Sequence, residues 1–316
     1  MNSPIRRRFV TCLTVIAIAS PIAAFSATAS VESRIAAAAK ISTIPKNLTP
    51  SLADIHKNGA FTYTGGKMVL KSCDPYDYPE QAAKPVPCSL GDSTATRTVV
   101  LWGDSNAGNW MPIFDTMFKT LKYRVAVFTF PGCSAPFVTA SKTGPFFSSQ
   151  PAACNTYHAK LAAEVRSLSP TAIFGVSGAA FLTKTTAIEQ QWLQGWKAAF
   201  DAMTTGAPTT KRFVIGTSPI MPQDVPKCLA LRSRSIQVCG LVASKSNYPA
   251  IIARDAKVAT ISKANLISVS QWFCQKDFCP TVMDSILIYV DLDHTSKEFV
   301  KELESPWLSY LRSKGF

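Results

Sequence analysis

Two rhythms of apolar and polar positions run through this chain. Short runs rich in β-branched and aromatic residues fall at 97–102, 124–130, 171–176, 212–217 and 266–269. Between most of them, apolar residues recur at helical spacing over 107–121, 154–167, 188–203 and 249–263. Strand and helix in alternation predict an α/β domain with a mostly parallel sheet covered on both faces. Two irregular stretches, 134–153 and 219–246, break the alternation and are expected to shape a substrate groove. Trp192 and Trp196 are four apart and read as helix-face packing rather than a sugar platform. His158 falls within a predicted helix and reads as structural.

The first of these strands delivers the most informative segment, Trp102-Gly103-Asp104-Ser105-Asn106. Helical spacing resumes at Ala107, so Ser105 is expected on the turn between a strand's carboxyl end and a helix's amino end. Open α/β sheets bind ligands there, and the helix terminus offers free N–H groups and a positive dipole to a developing oxyanion. Asp104, Ser105 and Asn106 are also ordinary N-cap residues, and capping alone accounts for them.

A nucleophilic serine needs a base. Of the three histidines, His294 lies in Asp291-Leu292-Asp293-His294-Thr295-Ser296. Residues 285–290 before it read as a last strand or extended segment. Thr295 and Glu298 have the spacing of a capping box for a final helix to about Leu311. His294 is therefore expected just before a helix, with Asp291 or Asp293 close enough to fix its tautomer. Decoration of a helix start is the competing account. Ser105 and Asp-x-x-His together follow the Ser…Asp…His order of a nucleophilic hydrolase or transferase.

The chain here resembles the SGNH (GDSL-like) hydrolases and acyltransferases, most closely the SGNH domain fused to bacterial acyltransferase-3 membrane proteins. The resemblance rests on the lead-in Ile44-Pro45-Lys46-Asn47-Leu48-Thr49-Pro50-Ser51-Leu52 and on Cys88-Ser89-Leu90-Gly91-Asp92 with the segment from Arg97 to Ser105. Gly132-Cys133-Ser134-Ala135-Pro136 and the two stretches Trp272 to Cys279 and Tyr289 to Ser296 complete it. It implies a three-layer α/β sandwich around a mostly parallel, flavodoxin-like sheet. It also implies Ser105 as nucleophile, His294 as general base and Asp291, preferred over Asp293 by its spacing, as the orienting carboxylate. No cofactor or metal is implied.

Two positions depart from the family pattern. Asn106 stands where the fused domains usually have histidine, and Ser177-Gly178-Ala179-Ala180 stands where typical members supply an oxyanion-hole asparagine. Backbone N–H groups of Ser105 and of Gly132 or its neighbour remain as donors, with Ser177 as a candidate helper. Loss of one donor costs on the order of 100-fold in rate.

The amino terminus predicts export. Arg6-Arg7-Arg8 precedes an apolar run from Phe9 to Phe25, and Ala27-Thr28-Ala29 offers a small-x-small cleavage site. Residues 1–29 read as a signal peptide, 30–64 as an exported lead-in and 65–316 as the SGNH-like domain. A retained leader would be a short membrane anchor. Beyond Cys12, the cysteines form an even set suited to an oxidising compartment. Sequential pairs are expected: Cys73 with Cys88, Cys133 with Cys154, Cys228 with Cys239, and Cys274 with Cys279. A metal site is disfavoured by the lack of any Cys-x-x-Cys.

The formal charge of +13 includes three arginines of the leader. A basic exported protein is drawn to anionic envelope polymers or lipid headgroups. The lysines and arginines are scattered without aromatic interleaving, which argues against nucleic acid as a partner. Two functions emerge. One is an exported serine-dependent O-acyl esterase or O-acyltransferase acting on cell-envelope glycans or another acylated small molecule, with a membrane protein as the expected acyl donor in a transfer reaction. The other is a catalytically degenerate module that binds envelope polysaccharide.

Overall fold

The computed structural model describes residues 29–58, 63–64, 67–68, 82–178 and 185–316. A six-stranded sheet forms the centre. Its strands are β1 (Cys88–Gly91), β2 (Thr98–Gly103), β3 (Arg124–Thr129), β4 (Ala172–Val176), β5 (Lys211–Ile215) and β6 (Asn265–Ile267). They lie in the order β1-β3-β2-β4-β5-β6, and all neighbours run parallel except β1 against β3. The central strands β2, β3 and β4 are buried on both faces, which explains their near-continuous apolar runs.

Helices cover both faces. One layer holds α2 (Ser105–Thr120), packed on β1 and β3, together with α7 (Lys297–Glu302) and α8 (Glu304–Ser313). The other holds α3 (Pro151–Ser167), α4 (Thr186–Thr204) and α6 (Tyr248–Ile261). Aromatic residues fill the two interfaces. Phe174 meets Phe114 and Phe118 of α2 at ring separations of 5.2 and 5.8 Å, while Trp102 meets Trp196 and Phe200 of α4 at 5.0 and 5.1 Å. Trp192 and Trp196 are both buried.

From β2 the chain pairs first with β3 on one side and later with β4 on the other. The direction of winding thus reverses beside β2, and in such sheets the crevice opens outside the carboxyl ends of the strands at the reversal. Ser105 follows β2 directly.

Some elements differ from those the sequence predicts. β1 was not foreseen: it is a four-residue edge strand whose antiparallel pairing with β3 depends on contacts far along the chain. Residues 285–290 do not join the sheet. Ile286–Leu287 instead pairs with Val282–Met283 in a hairpin turning at Asp284, and Tyr289 bridges back to Thr295. The final helix is capped by Ser296, not by a Thr295–Glu298 box: Ser296 Oγ accepts the N–H of Phe299 at 3.1 Å and donates to the carbonyl of Leu287 at 2.5 Å. That helix also divides at Leu303 into α7 and α8.

The lead-in is packed into the body. α1 (Val31–Ala38), capped by Ser30, buries Val31, Ile35 and Ala38. Arg34 bridges Asp284 and Glu302, and Thr49 pairs with Ile286 near the hairpin. Disulfides join Cys133 to Cys154, Cys228 to Cys239 and Cys274 to Cys279. Cys73, the expected partner of Cys88, lies outside the described residues. No helix among the described residues is long and apolar enough to cross a membrane.

Candidate active site

Ser105 opens α2 at the carboxyl end of β2. The turn passes so close to β4 that a Cβ on Gly103 would lie 1.9 Å from the carbonyl oxygen of Val176. Asp104 caps α2, its Oδ1 accepting the N–H of Asn106 at 2.8 Å. Its other oxygen, Oδ2, accepts the Ser177 hydroxyl at 2.7 Å and the Gly178 N–H at 2.8 Å. Asp104 thus fastens the start of α2 to the end of β4. Burial outweighs these donors and raises the carboxyl's pKa above the usual aspartate range.

His294 arrives from the other end of the chain. The loop carrying it closes through Val290 N–H to the His294 carbonyl at 2.9 Å. The irregular stretch after β5 braces the same loop: Met221 N–H bonds to the Leu292 carbonyl at 2.8 Å, and Val225 N–H, opening α5 (Val225–Leu231), bonds to that of Asp291 at 3.4 Å. These contacts hold the imidazole with Nε2 2.8 Å from Ser105 Oγ, although the two residues are 189 apart in sequence.

The opposite nitrogen, Nδ1, lies 2.7 Å from Asp291 Oδ2. An ionised carboxylate can only accept, so Nδ1 carries the proton and Nε2 is left to accept from the serine. Asp291 Oδ1 is held by the N–H groups of Asp293 and His294 at 2.9 and 2.8 Å. Asp293 Oδ1 is also within 3.3 Å of Nδ1. The two carboxyls differ in charge preference. Burial works against the Asp291 anion, but its hydrogen bond and attraction to His294 prevail and lower its pKa. For Asp293, burial and the nearby Asp291 and Asp104 outweigh His294 and raise it. Burial also disfavours a charged His294, but Asp291 first, with Asp293 and Asp104, raises its pKa above the ordinary histidine value.

Of the two oxyanion candidates, Gly132 sits exposed after β3, in a turn closed by Cys133 N–H to the Phe130 carbonyl at 3.0 Å. Among the described residues the backbone N–H groups of Ser105 and Gly132 have no acceptor within the protein. Ser177, the other candidate, is engaged within the protein: its hydroxyl donates to Asp104 and its oxygen accepts the Ala135 N–H at 3.1 Å.

By its place before Ser105, Asp104 reads as a cap; its second role, binding the end of β4, is not legible there. The signal was the pairing of an acid before Ser105 with Ser177-Gly178 after the neighbouring strand, which becomes meaningful only once β2 and β4 are adjacent. Among the described residues, two clusters bring metal-ligating side chains together. In Cys133, Cys154 and His158 both sulfurs are in a disulfide, and in Asp291, Asp293 and His294 both imidazole nitrogens are engaged. His158 Nε2 lies 2.8 Å from the Ser134 carbonyl, a structural contact beside that disulfide.

Comparison with solved structures finds the same architecture in the periplasmic domain of a lipopolysaccharide acetyltransferase from Salmonella ser. Paratyphi A. The match has a TM-score of 0.58 at 13% identity and covers 77% of this chain and 98% of that one. An aryl esterase from M. smegmatis (13% identity; 69% and 99% covered) and the carbohydrate acetylesterase Est24 from Sinorhizobium meliloti (12%; 69% and 99%) both give TM-scores of 0.42. No curated protein matches the sequence. The family model described as the SGNH domain (fused to AT3 domains) matches residues 72–309, and the chain belongs to that family of ester hydrolases and acyltransferases.

Proposed function

We propose that Ser105 is the nucleophile of an exported O-acyl esterase or O-acyltransferase acting on cell-envelope glycans, with His294 as general base and Asp291 as its orienting carboxylate. The observation that carries this reading is the 2.8 Å approach of Ser105 Oγ to His294 Nε2, with Nδ1 held by Asp291 at 2.7 Å. Ser105 Oγ attacks an ester carbonyl while Nε2 takes its proton. The tetrahedral oxyanion draws on the N–H groups of Ser105 and Gly132 and on the positive end of α2. Collapse expels the alcohol, which receives the proton from His294, and leaves an acyl-serine. Water or a sugar hydroxyl, deprotonated by His294, then attacks the acyl carbonyl; the bond to Ser105 Oγ breaks, and Oγ recovers the proton from Nε2. Hydrolysis and transfer share every step but the last acceptor.

The three disulfides among the described residues and the leader-like residues 1–29 support export. The family's fusion to AT3 domains supports a membrane-borne acyl donor. We take 30–64 as a lead-in serving the domain of 65–316, and Cys73–Cys88 as a further disulfide.

Hydrolysis of a short-chain aryl acetate by the purified protein, compared with Ser105→Ala, tests the reading. Turnover with a trapped acyl group on the Ser105 peptide, both lost in the variant, is expected. Turnover that survives the substitution refutes the assignment. Absence of acylation with every ester, alongside retention on an acylated envelope glycan, would favour the polysaccharide-binding module.

A further inference from the structure

Leu231, at the end of α5, is 82% exposed and is the most open of the large apolar side chains among the described residues. Arg232 and Arg234 follow it, both exposed, and Val238 is 57% exposed on the next turn. The Cys228–Cys239 disulfide ties that turn to α5, so these side chains stand on a cross-linked protrusion. Between Asp224 and Asp255 the chain contains no acidic residue.

The lead-in runs alongside. Ile236 N–H bonds to the Ser42 carbonyl and Ile44 N–H to that of Ser233, both at 2.9 Å. Exposed Lys40 and Lys46 lie within two residues of these contacts. Among the described residues, no ion pair involves Lys40, Lys46, Arg232 or Arg234. An exposed apolar tip accompanied by uncompensated cations suits the headgroup boundary of an anionic bilayer: the leucine enters the acyl edge while the cations meet phosphates.

The apolar tip favours a membrane over a hydrophilic anionic polymer, which has no acyl edge for Leu231 to enter. Within the fold, the far end of α1 borders Ile236 and Gln237 of the protrusion. At its other end, α5 bonds to the carbonyl of Asp291. The protrusion is therefore one helix away from the loop bearing His294.

We propose that the face formed by Leu231, Arg232, Arg234, Val238, Lys40 and Lys46 docks on anionic phospholipid headgroups of the envelope membrane. Docking would hold the Ser105 site beside a membrane-borne acyl donor, and in that consequence alone it rests on the acyl-transfer reading.

The test is flotation of the full chain, as recovered after export, with vesicles of phosphatidylcholine alone or with added phosphatidylglycerol. The difference between the two lipids carries the result, since a retained leader binds both. Arg232→Ala and Arg234→Ala are each expected to weaken the phosphatidylglycerol-dependent binding about fivefold, and the pair about 25-fold. Leu231→Ala should lower the binding that survives in high salt. An unchanged thermal midpoint confirms that the variants are folded. Variants that bind phosphatidylglycerol vesicles like the parent would overturn the proposal, as would arginine-dependent retention on an anionic polysaccharide with no vesicle binding. None of these readouts requires esterase activity, so docking and the acyl-transfer reading fail separately.

Discussion

Ser177 Oγ donates to Asp104 Oδ2 at 2.7 Å, joining the end of β4 to the cap of the helix that begins with Ser105. Asp104 is buried, and each donor keeps its carboxylate from standing unpaired. Ser177→Ala should therefore cost about 1–3 kcal/mol of stability, measured by denaturant unfolding. Its effect on aryl acetate turnover should stay below about tenfold, because the proton it removes was never directed at an oxyanion. A loss on the order of 100-fold in a folded variant would instead return Ser177 to the oxyanion hole.

The neighbouring Gly178 is held small by Asn106, since a Cβ there would lie 2.6 Å from the Asn106 amide nitrogen. Gly178→Ala should lower both stability and turnover. The double variant with Asn106→Ala should recover part of the stability loss, because the clash partner is gone. Purely additive losses in this double-mutant cycle would show that the two residues do not interact.

Asp291 and Asp293 should separate in kinetics. Turnover needs neutral Nε2, and the raised pKa of His294 predicts a rate that climbs with pH through a midpoint above 6.5. Asp291→Asn removes the main influence raising that pKa and also the acceptor that sets the tautomer. The midpoint should fall while the plateau drops by about 10³-fold or more. Asp293→Asn should move the midpoint slightly downward and leave most of the plateau. A large loss confined to the Asp293 variant would exchange their roles.

Asp255 carries a pH dependence away from the proposed chemistry. It is buried on α6, accepts the Thr217 N–H at 2.7 Å, and burial pushes its pKa up to about 7 despite that bond and the attraction of Arg254. A carboxyl whose pKa is higher folded than unfolded stabilises most below its unfolded value, and that contribution is lost as pH rises through the folded value. Asp255→Asn should therefore gain thermal stability relative to the parent at pH 8, and the gain should shrink as pH falls from 7 toward 4. A difference independent of pH would place the titration elsewhere.

Ile35 of the lead-in is fully buried against the body. Ile35→Ala should cost about 2–5 kcal/mol of unfolding free energy, in a single transition with the rest of the domain. A separate early transition, or none, would show the lead-in to be an independent appendage.

The sequence alone determined the elements whose signals are local. Buried parallel strands appear as apolar β-branched runs, and the helices between them keep their 3.6-residue period. The position of Ser105 between strand and helix is legible because the strand, the glycine and the helix are contiguous, and the contact of Asp291 with His294 because they share one short loop. The tertiary structure decided what depends on distant segments: the edge pairing of β1 and the reversal of winding beside β2. It also decided the direction of single protons. Whether Ser177 serves an oxyanion or a buried carboxylate depends on β2 and β4 lying side by side, and pairing between segments 73 residues apart leaves no periodic trace in the chain.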